Sequence, residues 1–153
     1  MNELGELAAG RWAAWHGLEE CDVASADAQL GPPLEDELHG GMFGGEPAQF
    51  RRYPPTGAGP QGITVWVLGE LVIGVELGEP EPPAGTLDAL GPPELVLESG
   101  LGWNWTQEVW ASRGLVIHRR EERIRVAFGL APIDPDEWPS DPLSSWRIER
   151  IPR

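Results

Sequence analysis

Hydrophobic and polar positions follow the clearest pattern of the chain in residues 86–132. Leu87 and Leu90 are three residues apart, which places them on one face of a helix, and Thr86 suits the N-cap position. We expect the helix to end at Gly91-Pro92-Pro93, because glycine suits a left-handed cap and proline cannot continue a helix. This segment therefore predicts a short helix with a proline stop.

Three strands are predicted after this stop. The run from Trp103 to Trp110 leads into the run Arg113–His118, and the last run spans Arg123–Phe128. In the last run, apolar and polar or small residues alternate with a period of two, which is typical of a strand with one buried face. The apolar set is Ile124, Val126 and Phe128. The pattern predicts a helix followed by a three-strand meander.

The same order of elements is found earlier in the chain, where residues 22–30 predict a helix capped by Asp22 and ended by Pro32-Pro33. Leu30-Gly31-Pro32-Pro33 matches Leu90-Gly91-Pro92-Pro93, and Gly62-Ile63-Thr64-Val65 matches Gly114-Leu115-Val116-Ile117. A third match pairs two sets of alternating apolar positions, which are Leu71, Ile73, Val75 and Leu77 in the first set and Ile124, Val126, Phe128 and Leu130 in the second. Three matches in the same order predict a diverged tandem repeat.

We therefore predict an α+β fold in which two diverged helix–three-strand repeats form one antiparallel sheet, with the helices packed on one face. The 153 residues are expected to make a single domain. Its predicted parts are an N-terminal helix at 1–20, repeat 1 at 21–78, repeat 2 at 79–132 and a C-terminal extension at 133–153.

The charge of the chain points to one class of partner. The formal net charge is −14, and every basic side chain is arginine. Residues 53–112 hold acids and no base, whereas most of the arginines lie after residue 112. Such a field repels nucleic acid and anionic membranes and speeds encounter with a basic protein. We expect a basic protein partner, no nucleic acid and no membrane.

Three further features predict a cytoplasmic protein. No apolar run approaches the ~20 residues of a membrane span. The N-terminus lacks the basic and apolar regions of a signal peptide. The single cysteine, Cys21, excludes an internal disulfide.

No catalytic set, cofactor or metal is predicted. His16, His39 and His118 are isolated in the sequence, and their spacing to other ligand types does not match a metal site. The glycine-rich residues 40–45 lack the lysine that follows a phosphate-binding loop. Whether any catalytic step exists stays open at this stage.

Four tryptophans are the main candidates for binding: Trp66, Trp103, Trp105 and Trp110. Tryptophan is enriched at the energetic centres of interfaces, although it is equally common in cores. Trp66 alternates with Val65 and Val67, so it is expected on the opposite face from that pair. This makes Trp66 the better surface candidate by pattern alone.

A glycine-rich loop and three acids complete the predicted site. Residues 38–45 present His39, Met42 and Phe43 between glycines, which suits insertion into a partner groove or closure of the core. Three acidic residues would steer the basic partner, and they are Glu70, Glu76 and Glu108.

The motifs also resemble a known repeat unit. The residues that carry the resemblance are Leu90–Pro93, Trp110–Ile117 and Ile124–Phe128, echoed by Leu30–Pro33 and Ile63–Leu77. This pattern is similar to the unit of the β-lactamase inhibitory proteins and of the SmpA-type outer-membrane lipoproteins. The resemblance implies two units side by side and one curved sheet whose concave face grips an enzyme. That family is exported, and the inhibitors carry a disulfide in each unit, whereas this chain shows neither feature. Its acidic, tryptophan-rich composition also resembles the immunity proteins of bacterial toxin systems.

Two functional hypotheses of different class follow, with a purely structural subunit as the third. The first is a non-catalytic inhibitor or immunity-type protein that binds through an aromatic sheet face. The alternative is a protein, or a cofactor-free enzyme, that holds a small hydrophobic ligand between the sheet and the glycine-rich loop. In that case His39, Cys21 or Arg125 would act inside a pocket. A deep apolar cavity favours the ligand, and a filled core with exposed tryptophans favours the protein partner.

Overall fold

Eight strands form one antiparallel sheet in the order β1-β2-β3-β4-β8-β7-β6-β5. The computed structural model describes residues 5, 18, 22–43, 46–54, 63–82, 84–99, 101–130, 132 and 134–140. The strands are β1 Glu35–Phe43, β2 Glu46–Tyr53, β3 Ile63–Leu68, β4 Leu71–Gly78, β5 Leu95–Glu98, β6 Thr106–Trp110, β7 Leu115–Arg120 and β8 Arg123–Leu130. The helices are α1 Val23–Leu30 and α2 Thr86–Leu90, with 3-10 turns at Ala111–Arg113 and Pro135–Ser140.

The sheet consists of two halves that meet at its centre. β1 to β4 form one meander, and β5 to β8 form the other. β4 pairs with β8, with Gly74 opposite Leu130 and Gly78 opposite Val126, and we call this pairing the central seam. A Cβ atom on Gly74 would lie 2.8 Å from Cδ2 of Leu130. Only glycine therefore fits at this point of the seam without displacing a neighbour.

The predicted α+β class, built from two helix–three-strand repeats, is wrong. The described residues form mostly one sheet, and the helices α1 and α2 have only eight and five residues. Each half has four strands and not the predicted three, because β1 and β5 each add an edge strand. An edge strand exposed on both sides needs no apolar alternation, and the polar start Glu35-Asp36-Glu37 of β1 shows none.

The helix predicted at residues 22–30 is confirmed as α1. Oδ1 of Asp22 accepts a hydrogen bond from the Ser25 N–H at 2.8 Å, as an N-cap does. α1 ends at Gly31 with a φ of 86°, and α2 ends at Gly91 with a φ of 74°. Both helices therefore stop at a glycine in a backbone conformation that side chains disfavour.

Both faces of the sheet carry apolar side chains. The helix face packs against α1 and α2, and its buried residues include Ala26, Leu30, Val65, Leu77, Leu90 and Ile117. The opposite face, which we call the aromatic face, is centred on Trp66, Phe128 and Val116. Trp138 of the last 3-10 turn is 1% exposed and belongs to this second cluster. Neither face of the central strands is therefore a bare surface.

A charged network fastens α1 to the first half of the sheet. Arg51 on β2 forms ion pairs with Asp27 on α1, at 2.6 Å, and with Asp36 on β1. The hydroxyl of Tyr53 also donates to Asp27, at 2.7 Å. Burial raises the pKa of Asp27, but the hydrogen bonds from Arg51 and Tyr53 outweigh it and hold that pKa below its usual range. Nothing in the sequence pattern predicted this network.

The predicted N-terminal helix and C-terminal extension lie largely outside the described residues. Leu18 is described and is fully buried in the helix-face cluster. No helix within the described part of the chain is long and apolar enough to cross a membrane.

Candidate functional site

Trp66 is buried, so its prediction as the better surface candidate is wrong. Its side chain is on the aromatic face, opposite Val65 and Val67, as the alternation predicted. There it stacks on Phe50 with ring centroids 5.2 Å apart and meets the edge of Phe128 at 4.9 Å. Trp66 belongs to the core and is not accessible to a partner.

Glu76 is half-buried, and it faces the indole of Trp66. Nε1 of Trp66 donates a hydrogen bond to Oε2 of Glu76 at 3.0 Å. Burial raises the pKa of Glu76 to about 7, against the opposing effects of this hydrogen bond and the nearby charge of Arg125. Glu76 was predicted to steer a basic partner from the surface, and a carboxyl held in this way cannot do so.

Glu108 and Trp110 on β6 are buried too. Glu108 is 8% exposed and pairs with Arg119 on the neighbouring strand, with Nη2 and Oε1 3.1 Å apart. Trp110 is 4% exposed on the helix face. Of the three acids predicted to steer a partner, only Glu70 is exposed, at the turn between β3 and β4.

The segment predicted as a glycine-rich loop is mostly strand. His39, Met42 and Phe43 lie within β1, and His39 pairs in register with Ala48 of β2. Their side chains, and residues 44–45, lie outside the described part of the structure. Residues 38–43 therefore form part of a strand and not a flexible loop over the sheet.

Among the described tryptophans, Trp103 is the one open to solvent, with 87% of its surface exposed. It lies at the tip of the loop that joins β5 to β6, not in a strand as predicted. Positive φ values of 129° at Gly102 and 67° at Asn104 flank it and turn the chain back on itself. Because glycine and asparagine tolerate this region best, the loop has a sequence basis for its shape.

The loop is held by a short set of hydrogen bonds. The backbone N–H of Ser99 donates to the Trp105 carbonyl at 3.2 Å, and the N–H of Trp105 donates to the Gly102 carbonyl at 3.3 Å. Oγ of Ser99 lies 2.7 Å from Nδ1 of His118 and accepts from the Leu101 N–H at 3.1 Å. Ser99 and His118 are both buried, at 7% and 0% exposure. This pair anchors the base of the loop to β7, and we call it the loop anchor.

Trp105 supports the loop on its other side. The guanidinium carbon of Arg120 lies 4.9 Å from the centre of the Trp105 ring, and that of Arg123 lies 5.9 Å away. These arginines pair in register at the ends of β7 and β8. Cation–π contacts of this kind stabilise a half-exposed indole. Trp103 therefore projects from a loop whose neighbours are fixed.

A cleft of about 650 Å³ lies beside this loop, at the same end of the sheet. Residues 79–82, 84 and 85, α2 and the turn between β7 and β8 form its walls. Leu87, Pro82 and Ala84 supply its accessible apolar surface. Arg123 lines the cleft and also contacts Trp105, so the two features adjoin.

The site offers little for catalysis within the described residues. No group of three or more His, Cys, Asp or Glu side chains among them is arranged to hold a metal ion. Ser99 and His118 are at hydrogen-bond distance, but the cleft is not lined by either of them. Their position fits the fastening of a loop.

Comparison of the chain with protein-family models, curated proteins and solved structures gave no match. Function is therefore inferred from the fold and from the geometry of the site.

Proposed function

We propose that this chain is a non-catalytic protein-binding module of the inhibitor or immunity type, and that its partner contacts centre on Trp103. The observation that carries this proposal is an 87% exposed tryptophan on a loop fixed by internal hydrogen bonds. Exposing a large apolar ring costs free energy in water, and burying it against a partner recovers that cost. Because the loop is already ordered, little conformational entropy is lost on binding.

The distribution of buried groups supports a protein partner over a small hydrophobic ligand. Among the described residues, the aromatic face is filled by Trp66, Phe128 and Trp138, which are at most 1% exposed. The cleft beside the loop has charged residues and prolines in its lining, unlike a closed apolar ligand cavity. A filled core together with an exposed tryptophan is the arrangement that favours a protein partner.

Charge supports a basic partner. A net charge of −14 attracts a basic protein over the distance of a Debye length and raises the association rate. A cytoplasmic location is part of this proposal, because the single cysteine suits a reducing compartment.

The test is capture of partners from a lysate of the native host by the wild-type protein, by W103A and by L38A. Leu38 is 73% exposed on the edge strand β1, so L38A removes a comparable apolar side chain at another place. We expect one protein to be retained by the wild type and by L38A at low salt, and to be lost with W103A. Equal retention by W103A, or capture of a small molecule alone, would contradict the proposal.

A further inference from the structure

The cleft beside the Trp103 loop carries acidic groups that are not neutralised. Arg119 and Arg123 line it, but Arg119 pairs with Glu108, and Nη2 of Arg123 lies 3.7 Å from Oε1 of Glu79. Both lining cations are thus already next to a carboxylate.

Three other carboxylates line the cleft: Glu81, Asp88 and Glu122. All three are exposed, and none makes a side-chain hydrogen bond or ion pair within the described part of the chain. Elsewhere the carboxylates of Asp27, Glu35 and Asp36 each pair with an arginine. The cleft is therefore a place where negative charge stays uncompensated around a concave surface.

The apolar side chains of the same cleft favour an arginine side chain over a metal ion as its ligand. Leu87 and Pro82 are partly buried and Ala84 is exposed, and all three line the cleft. A hydrated metal ion gains nothing from such a surface. An arginine side chain does, because its methylene stem packs on apolar atoms while its guanidinium pairs with carboxylates.

We propose that this cleft binds an extended, arginine-bearing segment of the partner protein, beside the surface that Trp103 anchors. The identity of that segment as part of the partner rests on the proposed function, whereas the chemistry of the cleft does not. Arginine side chains of the segment lie along Leu87 and Pro82 and pair with Glu81, Asp88 and Glu122. The net charge of the whole chain favours the approach of such a segment.

The test uses a fluorescein-labelled peptide in which arginine alternates with alanine, and a matched peptide with citrulline in place of arginine. Citrulline keeps the shape of arginine and removes its charge. Binding is measured by fluorescence anisotropy to the wild-type protein, to E81Q/D88N/E122Q and to E70Q/E98Q/D136N. Both variants lose three negative charges, but only the first alters the cleft. Residue-specific amide shifts in NMR spectra locate the bound peptide.

We expect the arginine peptide to bind the wild type, with shifts at Leu87 and Ala84, and the citrulline peptide to bind at least about tenfold more weakly. The cleft variant should weaken binding by about tenfold, and the control variant by clearly less. Equal loss in both variants would show a general effect of charge and overturn the proposal. So would an absence of binding, shifts located elsewhere, or displacement of the peptide by micromolar Ca²⁺ alone.

These results are separable from the test of Trp103. A peptide bound in the cleft with no partner captured through Trp103 would leave the cleft assignment standing and refute the proposed function. A partner that is lost with W103A but retained by the cleft variant would support the proposed function and refute the cleft assignment.

Discussion

The indole N–H of Trp66 donates a hydrogen bond to the half-buried carboxyl of Glu76, with Nε1 and Oε2 3.0 Å apart. The two residues lie on adjacent strands, β3 and β4, and their side chains share the aromatic face. Phe50 and Phe128 cover the indole on two sides. The carboxyl of Glu76 is thus held where its ionised form is poorly solvated.

The first prediction concerns the pH dependence of stability. The folded pKa of Glu76, about 7, lies above its unfolded value of 4.5. The contribution of this group to stability is therefore fully present below pH 4.5 and is lost as pH rises through 7. Glu76→Gln keeps an acceptor for Trp66 and carries no charge. Above pH 7 we expect E76Q to be more stable than the wild type, by at most about 3 kcal/mol.

The measurement is urea unfolding of the wild type, E76Q and E70Q between about pH 5 and pH 8. Glu70 is exposed, so E70Q should follow the wild type. A difference between E76Q and the wild type that does not grow with pH would contradict the assignment of the shift to Glu76.

The second prediction concerns the Arg51 network. Arg51→Met removes the shared partner of Asp27 and Asp36 and leaves two carboxylates without it. Loss of one member of a buried ion pair is costly, but these carboxylates are more than a third exposed. We therefore expect R51M to lower the free energy of unfolding by about 2 kcal/mol.

Arg52→Met is the matched control, because Arg52 pairs with Glu35 at the surface of the same strand. R52M should cost less than about 1 kcal/mol in the same denaturation experiment. If the two variants lose equal stability, the network does not fasten α1 in the way described.

The third prediction tests the close packing at the central seam. Gly74→Ala places a methyl group 2.8 Å from Cδ2 of Leu130, which is itself buried at 2% exposure. We expect G74A to destabilise the protein by about 1–3 kcal/mol through overpacking. The second variant, G74A/L130V, removes the atom that is contacted. Calorimetry should show less than additive destabilisation in the double variant, and strict additivity would count against the contact.

The fourth prediction concerns the loop anchor. Ser99→Ala removes the hydroxyl that contacts His118 and accepts from the Leu101 N–H. Because these groups are buried, we expect a loss of about 1–3 kcal/mol and faster hydrogen exchange of the Leu101 and Trp105 amides. Ser112→Ala, at an exposed serine that bonds Glu94, should change stability by less than about 1 kcal/mol. Unchanged exchange in S99A would show that the hydroxyl does not hold the loop.

Segments whose structure has a local cause in the sequence were predicted best. The cap at Asp22, the stop at Gly31 and the alternation of β3 are of this kind. The alternation predicted for β4 and β8 is broken where the register shifts. Ile73 packs on the aromatic face and Val75 on the helix face, and Ile124 packs on the helix face, away from Phe128. β1 and β5 were missed, since edge strands with exposed faces do not need an apolar stripe.

The binding residues were predicted less well for a different reason. Alternation placed Trp66 correctly on the face opposite Val65, but surface exposure does not follow from it. Both faces of the sheet are covered, so the face away from α1 is also a core. Trp103 was found because of its residue type, whereas the cleft is formed by segments far apart in the sequence and has no local pattern.

The central seam has a consequence for how the chain reaches this fold. Within each half, consecutive strands pair through hairpins, whereas the seam joins residues as distant in the chain as Gly74 and Leu130. Hairpins close quickly, and distant pairings cost more loop entropy before they gain contacts. We therefore expect the seam to form last during folding. Until it forms, β4 and β8 present long apolar edges, and these are the segments through which newly made chains would associate with one another.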